Sequence, residues 1–64
     1  MNNEFLNNEI KKMEVMIDGL RGKRKENLMK CDNGEIDYIE YCKVRDDINR
    51  KLKLFEDELN GLIM

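Results

Sequence analysis

Cys31, Asp32, Glu35, Asp37, Glu40 and Cys42 gather thiol and carboxylate chemistry into one short stretch near the middle of a 64-residue chain. Zinc sites are built chiefly from cysteine and histidine, and this chain offers two cysteines and no histidine, so neither structural nor catalytic zinc is expected. Acid–base catalysis is equally poorly served. The carboxylates lie in polar sequence that would not tune their pKa values, and without histidine there is no ready base to activate a nucleophile. A glycine-rich phosphate loop is also missing. The chain therefore reads as a non-enzyme, and its cysteines as free thiols of a reducing cytoplasm.

The segment Asn33-Gly34-Glu35-Ile36-Asp37-Tyr38-Ile39-Glu40-Tyr41 has the glycine, the aliphatic residue and the closing glutamate of the second half of an EF-hand calcium loop. Calcium also needs oxygen ligands at the first, third and fifth loop positions, here Met29, Cys31 and Asn33. Met29 and Cys31 cannot bind a hard cation, which leaves Gly34 and Ile36 as turn and core residues. The basic run Arg21-Gly22-Lys23-Arg24-Lys25 has the charge for phosphate contacts but no interleaved aromatic to stack on bases. It reads as a solvated helix face. No cofactor, metal, membrane or direct nucleic-acid contact is expected.

What remains is a turn between two periodic segments. Asp32-Asn33-Gly34 supplies residues that tolerate positive φ and stop a helix at its C′ position, while Glu35, Asp37 and Glu40 suit the first turn of a new helix. Upstream, Leu6, Ile10, Met13, Ile17 and Leu20 recur at spacings of four and three, a heptad seam. Strict continuation puts Arg24 and Asn27 in the seam. Leu28 and Cys31 carry apolar character one step later, so the spacing predicts a shift of the seam near Arg24. Gly19 and Gly22 each weaken the helix by roughly 1 kcal/mol relative to Ala, and heptad packing on either side is expected to carry it through. Asn2 or Asn3 is the candidate N-cap. Downstream, the apolar positions run Ile36, Ile39, Tyr41, Val44, Ile48, Leu52, Phe55, Leu59 and Leu62.

Facing residues of two antiparallel helices should have position numbers with a nearly constant total. Ile10 with Leu59, Met13 with Phe55, Ile17 with Leu52, Leu20 with Ile48 and Leu28 with Tyr41 agree to within one. The same register sets the basic cluster near Asp46 and Asp47. The predicted fold is all-α: a single antiparallel two-helix coiled-coil hairpin over residues 1–64, with helices at about 3–31 and 35–63 and the turn at about 32–34. Pairing into a dimer or four-helix bundle is the expected extension, since one core in a chain this short is only marginally stable.

Charged residues make up 41% of the chain, there is no proline or tryptophan, and the net charge is −2, which fits long solvated helices and gives no general attraction to nucleic acid or anionic lipid. The N-terminus lacks the pattern of a secretion signal, so a soluble, cytoplasmic protein is expected. Met29, Tyr38, Ile39, Tyr41 and Cys42 crowd the turn, more apolar surface than a two-helix seam can cover, and the chain closes on Leu59-Asn60-Gly61-Leu62-Ile63-Met64. Such surface marks partner contacts, or a segment of a longer chain.

The long basic-and-apolar helix, Asp32-Asn33-Gly34-Glu35-Ile36, Tyr41 five residues on, and a second heptad helix of like length together resemble the coiled-coil insertion of large serine recombinases, over about Ile10 to Leu59. In that family a hairpin with a Gly-Glu/Asp-Ile-x-x-x-x-Tyr/Phe turn is inserted in a zinc-ribbon DNA-binding domain. The resemblance implies a protein–protein interaction role, in which hairpin tips of DNA-bound subunits engage one another in synapsis and in directionality control of recombination. The partner would be another copy of the motif, giving a homo-oligomer, with Met29, Tyr38, Ile39, Tyr41 and Cys42 as contacts. The family's nucleophilic serine, zinc ligands and DNA-reading elements have no counterpart here. Two alternatives stand beside it. One is a free-standing small phage or bacterial regulatory protein that docks on a partner. The other is a phosphatase-type hairpin acting on response regulators, whose Ser-Gln-Glu-Leu-Asp motif is matched no better than by Arg45-Asp46-Asp47-Ile48-Asn49.

Overall fold

In a computed structural model, which describes residues 3–63, the chain forms α1 (Asn3–Asp32) and α2 (Tyr38–Ile63), packed against each other as a helical hairpin. The rod measures 52 × 15 × 10 Å. The proposed cap Asn2 and the terminal Met64 lie outside the described residues. α1 runs unbroken through Gly19 and Gly22, as the flanking seam residues require.

The reversal is closed by two motifs in series. Gly34, at φ +77°, ends α1: its N–H donates to the Cys31 carbonyl at 3.1 Å and that of Glu35 to Lys30 at 2.8 Å, the paired bonds of a Schellman motif. Three residues later Asp37 caps α2. Its Oδ1 accepts the Glu40 N–H at 2.7 Å, and its carbonyl accepts the Tyr41 N–H at 3.0 Å. The cap moves the start of α2 from the expected residue 35 to Tyr38, so Glu35 and Ile36 lie in the connection and Ile36 turns half-buried beneath it. Gly34→Ala forces a Cβ into left-handed backbone and should cost about 1–2 kcal/mol, read as a drop in the thermal midpoint with helix content retained below it.

Ile17, Ile48 and Leu52 form the buried centre, with Leu20, Phe55 and Leu59 packed on it half-buried; Met13 is buried and Ile10 half-buried further along α1. The seam does not shift near Arg24. Leu28 and Val44 are exposed, as is Leu6, and the strict heptad position Asn27 is buried instead, with only 6% of its surface accessible. The physical reason is that the polar side chains at the seam find partners on α2. The Asn27 amide donates to the Tyr41 carbonyl at 3.1 Å, and the Arg24 guanidinium to Asn49 Oδ1 at 3.1 Å. On α2 the inward spacing continues through half-buried Tyr41 and Arg45 to Ile48, bypassing Val44.

The expected pairing of the basic cluster with Asp46 and Asp47 is also replaced. Asp46 receives Arg45, Asp47 receives Lys51, and Arg21 reaches across to Glu56 at 3.5 Å. These pairs are exposed and each contributes at most about 1 kcal/mol. Register therefore rests on the apolar seam and the Asn27 bond within it, with the exposed Arg24–Asn49 bond beside it.

Candidate interaction surface

The caps leave the tip with a fixed backbone and little room to hide its side chains. Tyr38 and Ile39 occupy the first turn of α2, immediately after the cap, and are 67% and 68% exposed; Met29, in the last turn of α1, is 53% exposed. Three large apolar groups thus stand on one end of the rod.

Tyr41 and Cys42, read from the sequence with this group, are half-buried. Tyr41 is a support rather than a display. Its carbonyl holds Asn27, its ring lies 6.0 Å from that of Tyr38 at a tilt of 33°, and the Arg45 guanidinium sits 5.6 Å from its ring centre. Arg45 donates from Nε and Nη2 to Asp46 Oδ1, and that hydrogen bond, followed by the charge of Cys42, raises its pKa above the ordinary arginine value. The Tyr38 ring thus has Tyr41 as a neighbour, and Tyr41 in turn has Arg45.

Cys31 and Cys42 are free thiols, both half-buried. Among the described residues no group of three or more carboxylates and cysteines is placed to hold a metal, and Asp37 has its carboxylate engaged in capping. No described helix is long and apolar enough to cross a membrane.

Sequence reasoning passed over Asn27 and Arg24, although strict four-three spacing pointed to both. It also passed over Asp37 as the cap, although Asp37-x-x-Glu40 is a recognisable N-terminal signature. No family model, no curated protein and no solved structure matches the chain.

Proposed function

We propose that the hairpin is a protein–protein contact module whose tip engages another copy of the same motif, the role implied by its resemblance to the coiled-coil insertion through which large serine recombinase subunits meet in synapsis. The observation that supports this reading is the display of Tyr38, Ile39 and Met29 in the open on a backbone held by two capping motifs. A rigid tip loses little conformational freedom on docking, so the apolar area it removes from water is converted efficiently into affinity. An aromatic ring braced from behind, as Tyr38 is by Tyr41, is the kind of anchor on which interface energy concentrates.

Tyr38→Ser/Ile39→Ser tests this directly. The double variant should weaken self-association by at least about 30-fold, the equivalent of roughly 2 kcal/mol, as read by sedimentation equilibrium. Helix content should stay unchanged, because neither side chain belongs to the buried seam. Association of undiminished strength would remove the tip from the account.

A further inference from the structure

We infer that a second copy of the chain docks side by side and antiparallel along one flank of the rod, through a groove whose charge pattern is complementary to itself. This contact is separate from the tip and does not rest on the reading given above. Two depressions share Arg21 and follow one another along the same face of α1. One is flanked by Glu14, Asp18 and Glu56, the other by Arg24, Lys25 and Arg45 over a floor of Leu28 and Tyr41. The α1 members recur at three- and four-residue steps from Glu14 to Leu28, so the two depressions form one stripe, acidic at the open end and basic toward the tip.

A two-fold axis crossing this stripe near Arg21 sets the acidic half of each copy on the basic half of the other. That is the self-complementarity an isologous dimer requires. Within a single hairpin the same arrangement is unfavourable. Glu14 and Asp18 are like charges one turn apart, as are Arg21 and Lys25, and such pairs destabilise an isolated helix. Among the described residues no ion pair reaches Glu14, Asp18 or Lys25.

Two further observations favour a copy of this chain as the occupant. Side by side about Arg21, two such rods overlap along most of their 52 Å length, so contact can extend past the stripe toward the roughly 800 Å² per partner of a standard interface. Among the described residues the buried apolar core of one hairpin is four side chains, Met13, Ile17, Ile48 and Leu52, which a four-helix arrangement would enlarge by covering Leu28 and the edge of Tyr41. In such a dimer the two tips lie toward opposite ends, roughly 40 Å apart at 1.5 Å per residue. The assembly would then present two contact tips instead of one.

The test uses charge exchange in the full chain. Glu14→Lys/Asp18→Lys turns the α1 side of the stripe basic, and Arg24→Glu/Lys25→Glu reverses two of the four cations in its basic half. Each variant alone should dimerise at least tenfold more weakly than the wild type in sedimentation equilibrium, and an equimolar mixture should recover wild-type strength as a heterodimer. Because Arg24 also bonds Asn49, Lys25→Glu alone serves as the acidic arm if circular dichroism shows the double change to be unfolded. A wild-type chain that stays monomeric at millimolar concentration overturns the inference. So does dimerisation indifferent to both exchanges. Loss of all association in Tyr38→Ser/Ile39→Ser, with the exchanges silent, assigns self-contact to the tip and overturns the flank. Association sensitive to the exchanges and indifferent to the tip variant sustains the flank and removes the tip.

Discussion

Leu52→Ala should remove a large part of the chain's stability, read as a large fall in the thermal midpoint followed by far-ultraviolet circular dichroism. Leu52 is 3% exposed and lies with Ile17 and Ile48 at the centre of the only described apolar cluster. Truncation removes its transfer energy and leaves a cavity that two helices cannot close without breaking contact elsewhere, a cost of about 2–5 kcal/mol. At 0.05–0.15 kcal/mol per residue, a chain of this length has roughly 3–10 kcal/mol to lose. With four buried apolar side chains among the described residues there is little redundancy to absorb the change. Leu54→Ala, two residues away on the exposed face, should shift stability by less than about 0.5 kcal/mol. Equal effects from the two substitutions would show that the seam does not hold the fold.

Asn27→Asp is expected to be the second most damaging change, and its damage should depend on pH. The two side chains have the same shape, but a carboxylate at this site would face the Tyr41 carbonyl with no proton to donate, and with little exposure to water. Removing the partner from a buried charge costs about 3 kcal/mol, and the exposed cations nearby on α1 offset only part of that. Burial and the facing carbonyl raise the folded-state pKa of the new carboxyl above its unfolded value. The protonated form therefore binds the native state better. Stability should be near wild type at pH values below the unfolded pKa, where the carboxyl can donate to Tyr41, and should fall as pH rises through the folded one. Thermal melts at a series of pH values give the profile directly. Asn27→Leu supplies the contrast: it should keep or raise the thermal midpoint while broadening the range of registers and oligomers, because a polar seam residue specifies alignment at a cost in stability. A flat pH profile for Asn27→Asp would mean that Asn27 is not the buried donor described above.

Much of this architecture was legible in the residues. The four-three spacing from Ile10 to Leu20 and its match to Ile48, Leu52, Phe55 and Leu59 set the register, and Gly34 marked the end of the first helix. Polar residues at heptad positions misled, because Arg24 and Asn27 look like a break unless their partners on α2 are known. Those partners, Asn49 and the Tyr41 carbonyl, are defined only once the hairpin has closed. The start of α2 was placed three residues early because acids near a helix start look alike, whereas only the one whose side chain meets the third amide onward is the cap. Of the tip group, Met29, Tyr38 and Ile39 are exposed as their crowding suggested, while Tyr41 and Cys42 turn inward on a seam whose position depended on Asn27. The flank stripe was invisible as a unit, since each half is completed by a residue of α2, Glu56 or Arg45, that lies beside α1 only once the hairpin has closed.

The central functional proposal is that the tip is where one hairpin meets another. Amide NMR spectra of the isotopically labelled chain, recorded from micromolar to millimolar concentration, test it residue by residue. Shifts that grow with concentration and are largest around Met29, Tyr38 and Ile39 are the predicted result. Spectra that do not change with concentration, or changes that pass over the tip, would contradict it.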